Sequence, residues 1–133
     1  MFKISFDIGG VLSKYPNKFR KLITALSTSE NVEMYVITDI PQHERAVKLV
    51  QDNGFAISAE RVLCANYDLY GEHCKSVLIK EHNIDMHIDD FLGYVANFDC
   101  INLLVCPNPN EPYYHDEFIT DGNEGNFGRR KKV

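Results

Sequence analysis

Three acids, a hydroxyl and a lysine stand at places in this 133-residue chain where their chemistry can be used together. Asp7 ends an apolar run and is followed by Ile8, Gly9 and Gly10. Thr38 and Asp39 end a second run, Met34-Tyr35-Val36-Ile37. Asp89 and Asp90 end a third that contains Ile84 and Ile88. Lys75 stands early in a segment that holds Val77, Leu78 and Ile79. A carboxylate can attack phosphorus and form an aspartyl-phosphate. A transferring phosphoryl group is heavily charged, so it needs chiefly positioning and neutralisation. Thr38 offers a hydrogen bond to a phosphoryl oxygen, and Lys75 offers a fixed positive charge. Three carboxylates brought together repel, and one takes up a proton unless a cation intervenes. Magnesium removes that conflict, since it takes oxygen ligands in octahedral geometry and keeps several waters. Singly, each residue reads as a cap or a solvated loop group. Their order along the chain is what makes a site of them: acid with glycines, hydroxyl, lysine, paired acids.

Such groups need a scaffold, and the chain alternates two periodicities. Phe2, Ile4 and Phe6 alternate with Lys3, Ser5 and Asp7, which predicts a strand ending at an acid. Gly9 and Gly10 break it. A helix opens near Pro16 or Asn17, with Phe19, Leu22, Ile23 and Leu26 on one face. Residues 33–38 form a second strand, apolar on both faces as a covered parallel sheet requires. Asp39 is expected to cap a helix with Pro41 in its early turn, Ala46, Val47 and Val50 inward, and Gly54 at its end. Residues 61–65 are a short third strand. Gly71 precedes a further helix that closes near His82 and Asn83. Residues 84–88 form a fourth strand and 101–106 a fifth, stopped by Pro107. This alternation implies an α/β fold: a mainly parallel five-stranded sheet with helices on both faces. Ligands of such sheets gather at the carboxyl ends of the strands, where strand order reverses. After residue 107, prolines, glycines and polar residues dominate. The expected division is a domain over 1–107 and an irregular C-terminal extension over 108–133.

Composition narrows the class. With 44% hydrophobic and 25% charged residues the chain is an ordinary globular one, of a size for one domain. No run of about 18 apolar residues exists, so no membrane span is expected. The first apolar run is interrupted by Lys3 and Asp7 and lacks a signal-peptide shape, which points to a cytoplasmic protein. Cys64, Cys74, Cys100 and Cys106 form no CxxC pair and read as reduced, mostly buried thiols. A zinc site from Cys64, His73 and Cys74 fits no standard spacing. The formal charge is −5, and −9 without Arg129, Arg130, Lys131 and Lys132. An acidic body speaks against a broad nucleic-acid face. The basic end reads as a solvated terminus, with phosphate contact as the alternative. His87 alternates into the fourth strand, as a core residue or as one that supports the site from behind. His43 follows Thr38 at the rim. None of the five histidines is assigned a catalytic role.

Phe6-Asp7-Ile8-Gly9-Gly10-Val11-Leu12 resembles the first motif of the haloacid-dehalogenase superfamily. Val36-Ile37-Thr38-Asp39 resembles the second, Lys75 at a helix start the third, and His87-Ile88-Asp89-Asp90 the paired-acid form of the fourth. The resemblance covers about residues 2–106. Receiver domains share these residue types, but with the paired acids early. The family resemblance implies a Rossmannoid three-layer sandwich and a phosphomonoester hydrolase or transferase using Mg2+. It implies Asp7, Thr38 and Lys75 as catalytic residues. Phosphate would meet Thr38, Asp39, Lys75 and Gly10. The metal would meet Asp7, the Gly9 carbonyl and Asp90, with Asp89 behind it and paired to Lys75.

One position departs from the family pattern. Most of its phosphatases carry a second aspartate two residues after the nucleophile, as general acid and base; here it is Gly9. Such a group is worth about 10²–10⁴ in rate. Either another group serves, or the intermediate hydrolyses slowly, or the domain is a weak or inactive phosphate-binding, regulatory module. Dehalogenase chemistry ranks low, because those members carry a cap. Only 30 residues separate Asp7 from Thr38, which leaves no room for a cap domain. Capless members act on large substrates that cover the pocket, or use oligomerisation as a lid. The expected partner is therefore a phosphorylated small molecule or macromolecule. Tyr113, Tyr114, His115 and residues 127–130 give the extension the content to fold over the opening; the plainer reading is that its aromatics only pack the tail.

Overall fold

The computed structural model describes residues 1–96, 100–105 and 118. Five strands form one all-parallel sheet: β1 (Phe2–Phe6), β2 (Val32–Thr38), β3 (Val62–Cys64), β4 (Met86–Asp89) and β5 (Ile101–Leu104), in the order β3-β2-β1-β4-β5. The helices are α1 (Pro16–Ser27), α2 (His43–Asp52), α3 (Tyr67–Tyr70), α4 (Cys74–His82) and α5 (Leu92–Val95). β1 lies between β2 and β4, so the chain leaves β1 to one side and later crosses to the other. Strand order therefore reverses at β1, beside the ends of β1 and β4.

Strand alternation sorts the core into two layers. Ile4 and Phe6 of β1, with Met34 and Val36 of β2, join Ile23 of α1 and Ala46 and Val50 of α2 in one cluster. Phe6 meets the Phe19 ring edge-on at 5.8 Å. Ile37 points the other way, to Ile79 of α4 and Ile84, with Tyr35 and Leu78 packed alongside. Helices thus cover both faces of the sheet, and the two-sided apolar strand is explained.

Several local expectations change. Pro16 does open α1, where a missing N–H costs nothing. Leu22, however, is 41% exposed; at 100° per residue it falls on the flank of the stripe formed by Phe19, Ile23 and Leu26. Asp39 does not cap α2. The helix starts at His43, too far along for that carboxylate to reach its first N–H groups, and Gln42 precedes it with no side-chain cap. Ile84 is buried but lies before β4, not in it. Helices α3 and α5 are additions, each too short for a periodic signal. Of the cysteines, Cys74 is buried, whereas Cys64 and Cys100 are half-buried; all three are free thiols. Cys106, Pro107, the 107/108 boundary and the expected tail contacts of Tyr113, Tyr114, His115 and 127–130 lie outside the described residues. Phe118 rests against Phe55, ring to ring at 6.0 Å. No helix among the described residues is long and apolar enough to cross a membrane.

Gly54, after α2, has φ +80°, and a Cβ there would stand 3.3 Å from Nε of Arg20. Arg20 Nε donates to the Asn53 carbonyl at 2.9 Å, so it is not free to move away. Gly54→Ala should cost about 1–2 kcal/mol in urea unfolding, the penalty of a side chain in left-handed backbone. An unchanged midpoint would contradict this.

Candidate metal centre

The site forms where β1 and β4 end. After Phe6 the backbone turns through a wide loop, residues 8–12, closed by Leu12 N–H to the Asp7 carbonyl at 3.4 Å and Ser13 N–H to the Ile8 carbonyl at 3.0 Å. Gly10 sits in this loop at φ +75°, a conformation open to glycine. The loop is buried throughout, and it holds the Asp7 carboxylate by the Ile8 N–H, 2.9 Å from Oδ1.

Lys75 enters from the first turn of α4 and is fully buried. Its ammonium lies 2.8 Å from Oδ1 of Asp7 and 2.6 Å from Oδ2 of Asp89. The Tyr94 ring of α5 flanks it, 4.5 Å from nitrogen to centroid. Asp89 accepts four hydrogen bonds. Lys75 and His87 Nε2 reach Oδ2, at 2.6 and 2.8 Å; the amides of Asp90 and Phe91 reach Oδ1, at 2.8 and 3.1 Å. On Asp7, by contrast, both the Ile8 and Lys75 bonds fall on Oδ1, and neither engages Oδ2.

Asp7, Asp89 and the half-buried Asp90 each bring one carboxylate oxygen within 4.8 Å of the others, an arrangement able to hold a metal ion. It is the one such grouping of three or more ligand residues among the described residues, and the Cys64, His73, Cys74 combination is not another. The donor set is all oxygen, which suits a hard divalent cation. Asp89 already accepts four bonds from protein donors, which leaves its oxygens little capacity to meet an ion directly.

Charge balance explains the protonation states. Burial pushes the Asp7 carboxyl up, the Lys75 ammonium opposes this, and the charges of Asp89 and Asp90 add to the rise; it ends well above its ordinary 3.8. Burial also pushes Asp89 up, but Lys75 and the His87 N–H outweigh it and hold the group below 3.8. For Lys75 burial acts downward, and the two acids overcome it, leaving the ammonium above its ordinary 10.5. His87 is held below 6.5, with burial as the main cause. Lys75 therefore stays charged at neutral pH and His87 stays neutral.

The sign for acid stability follows from Asp89. A depressed carboxyl adds stability above its unfolded value and loses it as pH falls. Below about pH 4 the metal-free protein should lose a few kcal/mol through this group. Asp89→Asn should flatten that acid limb in urea titrations at stepped pH; an unchanged limb would rule Asp89 out as its source.

Thr38 ends β2, two residues past the Phe6–Val36 pair of the register, and is buried. Its hydroxyl oxygen accepts from Ile40 N–H at 3.2 Å, which leaves its own proton to donate. Asp39 accepts from the Tyr94 hydroxyl at 3.0 Å. It lines a groove of about 670 Å3 at the ends of β2 and β3, with Ile40, Arg45, Asn66 and Tyr67. Gly9 is buried within the loop. The Gly10 amide donates to Oγ of Ser13 at 2.9 Å. His43 bonds the Ala59 carbonyl at 3.0 Å and is exposed. Sequence reading did not find Ser5, Ser13 or Tyr94. Ser5 had a usable signal, since it shares a strand face with Asp7; Tyr94 had none.

Fold and site together define an α/β protein with a lysine-bridged carboxylate centre at the carboxyl edge of a parallel sheet. Searches of family models, curated proteins and solved structures give no match.

Proposed function

We propose that this chain is a Mg2+-dependent phosphoryl hydrolase or transferase, a capless domain of the haloacid-dehalogenase type, working through an aspartyl-phosphate on Asp7. The observation that carries this reading is the convergence of Asp7, Lys75, Asp89 and Asp90 at the point where strand order reverses. The caplessness rests on the intervals where a lid would be inserted. Between Asp7 and Thr38 lie one loop, α1 and β2; between Thr38 and Lys75 lie α2, β3, α3 and short turns.

In this reading Asp7, Asp90 and the Gly9 carbonyl would hold the magnesium ion, which would supply positive charge to neutralise the acids and the phosphoryl oxygens. The Asp7 carboxylate forms the bond to phosphorus as the ester P–O bond breaks. The leaving oxygen keeps the electron pair and takes a proton from solvent, since Gly9 offers no acid. Water then attacks the acyl phosphate, releasing phosphate and restoring the carboxylate. Thr38 and Lys75 bind the transferring group's oxygens. The groove beside Asp39 gives room for the organic part of the substrate.

Gly9 favours a second reading: a module that binds phosphorylated ligands and turns them over poorly or not at all. Both are tested with magnesium, p-nitrophenyl phosphate and, for binding, beryllofluoride measured by calorimetry. Hydrolysis by the parent and none by Asp7→Asn supports the enzyme. Magnesium-dependent beryllofluoride binding without hydrolysis of a broad phosphomonoester panel supports the module. Neither binding nor hydrolysis would reject both.

A further inference from the structure

The acids at the strand ends sit on a second polar layer one rung deeper in the sheet. β1 and β4 are neighbours, and their register pairs Ser5 with His87. Side chains two apart share a strand face. Ser5 therefore lies below Asp7, and His87 below Asp89. Both deeper residues are fully buried. Burying a serine and a histidine in a sheet core is unfavourable unless their polar atoms are matched, and here they are. Ser5 Oγ lies 2.7 Å from Nδ1 of His87, and Nε2 lies 2.8 Å from Oδ2 of Asp89.

The roles of the ring nitrogens follow. An ionised Asp89 has only acceptors, so Nε2 carries the proton. In the neutral ring Nδ1 is then an acceptor and takes the Ser5 hydroxyl hydrogen. The ring is fixed at both ends. Oδ2 of Asp89 also accepts from Lys75, whose ammonium reaches on to Asp7. One unbroken chain of hydrogen bonds runs Ser5–His87–Asp89–Lys75–Asp7. Its far end is the oxygen pair that the proposed chemistry uses.

Resting on the phosphoryl-transfer reading, we propose that His87, oriented by Ser5, is a positioning residue: its Nε2–H sets the Asp89 carboxylate and, through it, the Lys75 ammonium beside Asp7. An apolar side chain at 87 would leave Oδ2 of Asp89 with one donor fewer and Lys75 with a less fixed partner. Residues that orient a metal or charge centre from behind are typically worth about 10–100-fold in activity or affinity.

The test compares the parent with His87→Leu, His87→Gln and Ser5→Ala. Two readouts are taken: magnesium-dependent hydrolysis of p-nitrophenyl phosphate, and the 15N NMR signal of the Lys75 side-chain ammonium in the metal-free chain. His87→Leu should lower kcat by about 10–100-fold with KM little changed, and should shift the Lys75 signal. His87→Gln restores an N–H toward Asp89 and should recover most of both effects, which a loss of packing alone would not permit. Ser5→Ala should move both readouts the same way by less, and it carries the test if His87→Leu does not fold. An unmoved Lys75 signal overturns the proposal whatever the activity. Unchanged kcat in an active, folded His87→Leu overturns it as well. A parent that neither hydrolyses the ester nor binds beryllofluoride rejects the functional reading alone, and a shifted Lys75 signal then still upholds the positioning chain.

Discussion

Replacing Lys75 by methionine should cost the metal-free protein about 3–5 kcal/mol, the largest loss expected of any single substitution at the site. The side chain is fully buried, and its ammonium is the cation that two buried carboxylates share. Methionine has similar length, so little cavity forms, and the cost is chiefly electrostatic. Asp89 would keep His87 and two amides, but Asp7 would keep only the Ile8 N–H among its bonds described above. Asp7 is already held well above its ordinary 3.8, so without Lys75 it takes up a proton still more readily. The deficit should therefore shrink as pH falls toward 5. It should also shrink in the Lys75→Met, Asp89→Asn pair, where one acid leaves with the cation; a double-mutant cycle measures that coupling. Urea unfolding in the presence of a chelator gives the numbers. A loss under about 1 kcal/mol would mean that the pair is worth no more than a surface ion pair.

Asp7→Asn should act in two opposite directions. Without magnesium it should stabilise the fold by about 0.5–2 kcal/mol at neutral pH, as relief of an active-site conflict commonly does. Three acids crowd one ammonium, and Asp7 is the one whose ionisation the site opposes. A raised carboxyl lowers stability as pH climbs from its unfolded to its folded value. The parent should thus grow less stable as pH rises above 4, and the variant should lose this slope. On the proposed reading, magnesium should reverse the order. An ion bound to the parent at about 100 times its dissociation constant adds about 2.7 kcal/mol, and the variant should gain much less. Hydrolysis, on the proposed reading, should disappear from the variant, because an amide cannot form the acyl phosphate. Thermal melts with chelator and with magnesium, beside the phosphatase assay, separate these effects. A variant that is destabilised without metal, or stabilised by magnesium as fully as the parent, would show that Asp7 is not the strained ligand of this centre.

Much of the scaffold was legible in the residues. All five strands were placed, because period-two alternation and short apolar runs depend on neighbours only a few residues away. The same local signals put Asp7, Thr38 and Asp89 at strand ends and Lys75 at a helix start. Local pattern failed where the deciding partner was distant. Asp39 has the residue type of a helix cap, yet its partner is Tyr94, 55 residues on. Leu22 stands on the flank of the α1 stripe, and only packing against the rest of the fold leaves it exposed.

The sequence alone determined the alternation of strands and helices, and which acids, hydroxyl and lysine would reach the carboxyl edge of a sheet. Tertiary structure alone decided that one ammonium bridges Asp7 and Asp89, that Asp89 accepts four bonds while those from Ile8 and Lys75 gather on Oδ1 of Asp7, and that Ser5 and His87 form a layer beneath them. The reason is physical. Periodicity is a short-range property of the chain, whereas strand register and the angle at which α4 crosses the sheet are set by packing across dozens of residues. Hydrogen bonds answer to tenths of an ångström in that packing.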